Sequence, residues 1–535
     1  MDGIVEIRGG RVRGIERGGV WSFSGLPYAA SPAGDQRWRP PGPPESWAGI
    51  RESDRFGPVA PQSQGMVEQA LGGTPEEYSE DCLNLNVWTP GIDDGRRPVM
   101  VWVHGGSFMT GSGSGGLYRG GLFAREHDVV VVTINYRLGL LGFLAHPAFD
   151  EPGQSWLDGD EWTGVGNWGL ADQIAALAWV RDHIAAFGGD PGNVTLFGES
   201  AGGMSVSTLL AVPAAAGLFH RAIVESGPPY TSAGDCAFER AERLAAHIGV
   251  ACTREALGAV PADRLVSAAG EFVDTNGGSD AGLLMTPVVD GGLLVDAPID
   301  AVASGAARGI PLMIGSTRDE SAFFALGNPK LMSLDMDGLR HWMRRVTPDP
   351  GTADGIIAAV QGARAERGEA TGPRHLWSAI ATEYVFRAGT VRLADAHARS
   401  AAPGVGTFCY LFTWESPAFD GVLGSCHALE IPFVFGTLRN PMVQSFSGGG
   451  DDAFSLSASI RQSWTSFART GVPTYELSGV GTVDWPQWEP VRRPTTVLGP
   501  WPGAGGLVHR VDGPRAVELE AVGAVVGPRH GHRED

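Results

Sequence analysis

The pentapeptide Gly198-Glu199-Ser200-Ala201-Gly202, the one G-x-S-x-G in the chain, constrains the fold more than any other segment. Before it runs Asn193–Phe197 (NVTLF), a short apolar and β-branched stretch that reads as a strand. Behind it, the small and apolar residues from Ala201 to Leu210 open a helix. A direct passage from strand to helix forces a sharp elbow that puts the serine backbone in a strained turn. Glycines two residues to either side are then required, because a Cβ there would collide with the neighbouring strand or helix. The turn lifts the Ser200 hydroxyl above the sheet edge, and the helix N-terminus behind it favours developing negative charge. The bare pattern arises by chance in Gly/Ser-rich chains; strand before and helix after make Ser200 a nucleophile candidate.

A second glycine-bearing segment, His104-Gly105-Gly106-Ser107-Phe108, follows the apolar run Val99–Val103 (VMVWV). A loop of this kind can aim backbone N–H groups at a tetrahedral oxyanion, and glycine permits the close approach. The candidate donors are the N–H groups of Gly105, Gly106 and Ala201. Taken alone, the segment is equally a Gly-rich turn that ends a strand; paired with the elbow it gains a chemical purpose.

Enzymes built on such an elbow run in the chain order serine, acid, histidine. The strand candidate Ile310–Ile314 leads into Gly315-Ser316-Thr317-Arg318-Asp319-Glu320, which offers two adjacent carboxylates, and spacing does not choose between them. The histidine belongs in a loop after the last major strand. Thr407–Trp414 is that strand, and Gly424-Ser425-Cys426-His427 is a loop bounded by Gly421 and Pro432. His341, His375, His397, His509, His530 and His532 fall on expected helices, edges or the tail. Spacing alone leaves His427 open to a capping or surface role.

The rest of the chain alternates strand and helix. Strand signals at Gly3–Arg8, Arg11–Ile15 and Val20–Tyr28 suggest a meander at a sheet edge, followed by a Pro-rich loop at 37–47. Val129–Tyr136 and Ala222–Val224 are further strands, and Asp172–Phe187 is helical, with Ile174, Leu177, Ala178, Ile184 and Phe187 on one stripe. Buried apolar strands between helices argue for a mostly parallel sheet covered on both faces. Regions near 270–282, 346–373 and 445–452 read as surface insertions. No boundary cuts the chain, so one domain is expected over residues 1–535, with a disordered tail from about 527.

These residues resemble the type-B carboxylesterases, the carboxylesterase/cholinesterase family that includes bacterial p-nitrobenzyl esterases. The matching segments are EDCLNLNVW (80–88), VWVHGGSF (101–108), NYRLGLLGFL (135–144) and the long, specific 166–203, then ESG (225–227), GSTRDES (315–321) and CHALEIPFVFG (426–436). They run in family order over roughly residues 3–515. The resemblance implies an α/β-hydrolase fold: a large, mostly parallel central sheet with helices on both faces and long insertions. It implies Ser200 as nucleophile, Glu320 rather than Asp319 as acid, His427 as base, and Gly105, Gly106 and Ala201 as oxyanion donors. It gives Ser226 a supporting place near the histidine; Glu199 either biases the pocket towards positive or neutral substrates or merely steadies the elbow. The expected reaction is hydrolysis of small to medium, largely apolar esters through an acyl-enzyme, with no metal or organic cofactor. Three departures stand out. Ala60 occupies the place of the cysteine that usually pairs with Cys82, Ser107 replaces a commoner Gly or Ala, and Ser321 replaces a glycine after Glu320.

Two other readings stand beside this one. A carbamate or amide hydrolase would use the same residues, and a binding module would be a relative that had lost them. Trp168, Phe323, Phe324 and Phe433 flank the motifs and are candidates either for pocket or for ordinary core. The net charge of −20 disfavours nucleic acid as a partner; the expected partner is a small-molecule ester, and the sequence leaves the oligomeric state, monomer or weak dimer, open. The apolar stretch 128–145 contains Asn135 and Arg137 and reads as strand and turn, not a membrane span. Five cysteines without metal spacing, and an opening segment with no apolar leader core, point to a reducing cytoplasm.

Overall fold

The computed structural model describes residues 2–65, 77–151, 153–275, 283–326, 328–477 and 479–527. They form two compact units, one from residues 2–223 and 230–310, the other from 224–229 and 311–527.

In the first unit the strands are β1 (Ile4–Ile7), β2 (Gly10–Arg13), β3 (Ile15–Arg17), β4 (Val20–Pro27), β5 (Ile50–Glu52), β6 (Asn84–Thr89), β7 (Arg97–Val103), β8 (Val130–Ile134) and β9 (Gly189–Glu199). β7 lies between β8 and β9 and is parallel to both, whereas β6, β4 and β3 continue beyond β8 in antiparallel pairings. Val99–Val103 and Val130–Val132 are all fully buried, so both faces of these strands are covered. Of the expected edge meander only β3 and β4 join this sheet. β1 and β2 instead form a small sheet with β5, because the Pro-rich loop brings Ile50–Glu52 into parallel register with Arg11–Arg13.

The helix expected from Asp172 begins four residues earlier, at Trp168, and ends at His183, with a 3₁₀ turn over Ile184–Phe187. Asn167, at φ 61°, makes the break before it. Twelve of its 16 residues are buried, so the apolar stripe understates a helix that sits inside the core. The charge inside the 128–145 stretch is accounted for locally. Arg137 makes a bidentate pair with buried Asp172 (Nη2–Oδ1 2.7 Å, Nε–Oδ2 2.8 Å), while Asn135 Oδ1 accepts the Gly113 N–H at 2.7 Å. Among the described residues no helix is long and apolar enough to cross a membrane.

Strand β10 (Arg221–Glu225) carries the chain into the second unit, and β11 (Ser232–Ala233) and β12 (Val288–Val289) form a short parallel pair back in the first. The second unit holds β13 (Leu312–Thr317), β14 (Thr407–Phe412), the hairpin of β15 (Thr474–Leu477) and β16 (Gly481–Asp484), then β17 (Pro494–Leu498) and β18 (Val508–Asp512). β13, β14 and β17 pair in parallel, and β18 closes that edge antiparallel.

Here the surface-insertion reading of 346–373 is overturned. Pro350–Glu366 is a helix that buries Ile356, Ile357 and Val360 against Leu339, Met343, Leu376, Ile380, Leu519 and Val522. The Pro and Gly that suggested a loop are helix punctuation: Asp349 Oδ2 caps the Thr352 N–H at 2.8 Å and Pro350 occupies the first turn. Likewise, 445–452 spans the end of helix Pro441–Ser447 and the start of Asp451–Thr470, with three glycines between. Residues 270–275 complete helix Ala262–Thr275, while 276–282 and the tail beyond Gly527 lie outside the described residues.

Candidate active site

In the first unit β9 ends at Glu199 and helix Ala201–Leu209 starts two residues later, leaving Ser200 between them at φ 56°, ψ −125°. Only a surrounding structure that over-determines it holds a non-glycine residue in that region. The flanking glycines supply that constraint. A Cβ on Gly198 would lie 2.6 Å from Val103 O, and one on Gly202 would run into the same carbonyl. The elbow is therefore pressed against the end of β7.

The His104–Phe108 loop leaves β7 at that point. A Cβ on Gly105 would lie 3.0 Å from Ser200 Cβ and 2.8 Å from Glu199 O, so only glycine lets the loop lie against Ser200. Gly106 (φ 111°), Ser107 (φ 56°) and Phe108 (φ 60°) all take left-handed backbone, which curls the loop sharply. Ala201 is the first helical residue, so its N–H has no partner within its own helix. Glu199 is buried, and its Oε2 lies 3.0 Å from that same Gly105 Cβ position.

In the second unit His427 Nδ1 lies 2.6 Å from Glu320 Oε2. The other oxygen of Glu320 accepts from Ser226 Oγ at 2.6 Å and from the Thr317 N–H at 2.8 Å. Glu320 is fully buried and His427 nearly so. The adjacent Asp319 turns elsewhere: it pairs with Arg318 at 2.7 Å and accepts the Ser425 N–H at 3.0 Å, while its own N–H donates to Ser425 O at 2.8 Å. Burial alone would raise the Asp319 pKa, but the charges of Arg318 and Arg515, with these hydrogen bonds, hold it below the ordinary carboxylate value. Asp319 thus pins the loop two residues before His427, and Glu320 meets the imidazole.

The Carboxylesterase family model matches residues 1–499. The chain belongs to this family. It is 37% identical to the para-nitrobenzyl esterase of Bacillus subtilis, over 92% of this chain and 94% of that protein. It is 35% identical to the phenmedipham hydrolase of Pseudarthrobacter oxydans, over 90% and 92% of the two chains. A solved Geobacillus stearothermophilus carboxylesterase is 38% identical and superposes with TM-score 0.81 over 97% of this chain and 99% of its own. This carboxylesterase has the α/β-hydrolase fold and is a serine carboxylic-ester hydrolase, as its motifs lead one to expect.

The four aromatic candidates divide. Trp168 stacks on Trp162 at 5.3 Å, Phe433 lies among Phe412 and Trp414, and Phe323 is buried, so these three are core. Phe324 is 36% exposed, and its ring centroid lies 5.2 Å from that of His427. On the same imidazole lies Phe386, at 4.8 Å, from a π-turn at Glu383–Arg387. No motif marked Phe386; a one-residue bulge between two helices leaves no periodicity to read. Ala60 and Cys82 line one small cavity with Arg37, Glu80 and Arg137, and none of the five cysteines is in a disulfide. Among the described residues no cluster of three His, Cys, Asp or Glu is arranged to hold a metal ion.

Proposed function

We propose that Ser200, His427 and Glu320 form the catalytic triad of this esterase, and that the chain is one catalytic domain. The observation that carries the reading is the 2.6 Å contact of His427 Nδ1 with a buried carboxylate whose second oxygen is already occupied by two donors. So held, Glu320 keeps the imidazole proton on Nδ1 and leaves Nε2 basic, the tautomer a general base needs. His427 takes the Ser200 proton, Ser200 Oγ attacks the ester carbonyl, and the N–H groups of Gly105, Gly106 and Ala201 receive the oxyanion. The alcohol leaves with the proton from His427, and water hydrolyses the acyl-enzyme by the same route. The exposed flank of Phe324 beside the imidazole supports small to medium, largely apolar esters. A cytoplasmic location is supported by five cysteines outside any disulfide, and the acidic charge supports a small-molecule substrate rather than nucleic acid.

Stoichiometric labelling by a sulfonyl fluoride, mapped by peptide analysis, tests the nucleophile: label on any residue but Ser200 overturns the assignment. A series of p-nitrophenyl esters of rising acyl length, run beside phenmedipham, a simple carbamate and an anilide, defines the substrate class. Ester turnover should exceed the others at every acyl length; faster carbamate or anilide cleavage would replace the apolar-ester reading.

A further inference from the structure

Three consecutive peptide groups make up the loop after β7, and each is held by its carbonyl oxygen. Tyr136 Oη donates to His104 O at 2.7 Å. His104 Nδ1 lies 2.8 Å from Gly105 O. Gly106 O accepts the N–H groups of Met109 and Thr110, both at 2.9 Å. In a trans peptide the C=O and the following N–H point in opposite directions. Fixing His104 O therefore aims the Gly105 N–H, and fixing Gly105 O aims the Gly106 N–H.

The two side chains are well suited to this. A carbonyl oxygen only accepts, so the His104 contact requires the proton on Nδ1. His104 is buried, and burial pushes its pKa down to about 4, so a neutral ring with one defined tautomer fills the site at neutral pH. Burial also raises the Tyr136 phenol, which keeps its O–H as a donor. The rings stack at 4.4 Å between centroids and 20° between planes. They leave neighbouring parallel strands side by side, since Val103 is in register with Ile134.

We infer that His104 and Tyr136 are positioning residues of the oxyanion hole, each aiming one backbone donor by holding the carbonyl on the other side of its peptide bond. The inference rests on Gly105 and Gly106 being oxyanion donors. It separates two properties that a merely structural pair would move together: the rate of the chemical step and the binding of the ground-state ester.

The test compares Tyr136→Phe, His104→Gln and His104→Asn on a p-nitrophenyl ester and on the matching thionoester, whose sulfur fits an oxyanion hole poorly. Removing one oxyanion donor outright costs about 10²–10³ in kcat, so misaiming one should cost roughly 10–10². Tyr136→Phe and His104→Gln should show that loss in kcat, with KM within a few-fold and a narrowed preference for oxygen over sulfur. His104→Asn, whose amide N–H takes the place of Nδ1–H, should recover most of what Gln loses. Equal losses in Asn and Gln, or losses confined to KM, overturn the positioning role. If the unmodified enzyme shows no preference for the oxygen ester, the oxyanion-hole reading fails first, and the inference with it. Full labelling of Ser200 by the sulfonyl fluoride shows that each variant is folded. Tyr136→Phe, which deletes a single oxygen, keeps the test decisive if a His104 variant is not.

Discussion

Around Ser200 the chain is held by backbone and glycine; around His427 it is held by side chains. The elbow and its loop are shaped by Gly198, Gly202 and Gly105, each pressed against a carbonyl or a backbone neighbour with no room for a Cβ. The histidine is fixed by Glu320, Ser226 and Asp319, with Phe324 and Phe386 on its ring. A backbone constraint is local, and it forces a residue type at a fixed spacing. A side-chain constraint joins positions as far apart as 226, 320 and 427, and tolerates many spacings. The first region should therefore fail abruptly on substitution, the second by degrees.

The largest effect belongs to the elbow. Ser200→Ala should lower kcat by about 10⁴–10⁶, since in a related triad loss of the nucleophile costs as much as loss of all three members. Steady-state turnover, checked against contaminating wild type by active-site titration, measures it. A residual rate within 10²-fold of wild type would break the comparison at its strongest point.

Next comes the pair of adjacent carboxylates. Glu320→Gln should cost about 10²–10⁴ in kcat, because the amide favours the wrong imidazole tautomer. Asp319→Asn should cost about tenfold or less, because an amide oxygen still accepts the Ser425 N–H that Asp319 holds at 3.0 Å. Parallel kcat measurements, with circular dichroism to confirm folding, check the ordering; the reverse order would reassign the acid.

The contrast also explains what the sequence could say. The elbow, the His104–Phe108 loop and their strands were legible because glycine spacing and apolar runs are local signals. Which of Glu320 and Asp319 meets His427 was not, because it depends on which of two neighbouring side chains faces residue 427, and only the family resemblance pointed to Glu320. Phe386 was invisible for the same reason: its contact with His427 is made across the fold. Helix Pro350–Glu366 was misread because Pro350 and its glycines look like loop residues until Asp349 is seen capping a helix.

A smaller effect tests the side-chain region through stability. Glu225 is fully buried, accepts Trp464 Nε1–H at 2.8 Å, and adjoins Ser226. Burial raises its pKa from 4.5 to about 8, against the lowering effect of the Trp464 hydrogen bond. Below the unfolded value both states carry the proton. As pH rises from there towards 8 the unfolded chain releases it while the folded protein keeps it, so stability falls across that window. Glu225→Gln retains the acceptor and removes the titration. Chemical denaturation should show a flatter stability profile from pH 5 to 8 and a gain on the order of 1–4 kcal/mol at pH 8. An unchanged profile would mean that Glu225 ionises normally in its buried place.

The least damaging change sharpens the comparison from the substrate side. Phe324 and Phe386 flank the same imidazole, but Phe386 is 4% exposed and Phe324 36%. Truncating the buried ring leaves a cavity, so Phe386→Ala should lose about 3–5 kcal/mol of stability. Truncating the ring that is already 36% exposed removes less buried surface, so Phe324→Ala should cost about 1–2 kcal/mol. If its open flank meets the acyl or alcohol chain, its loss falls on binding: KM for the longer p-nitrophenyl esters should rise a few-fold, with kcat within about threefold and the shortest ester unaffected. The ester series run on both variants, alongside thermal melts, distinguishes the two rings. Equal KM shifts at every chain length would place Phe324 with Phe386 as part of the histidine's packing, and the side-chain region would then have no open wall on that flank.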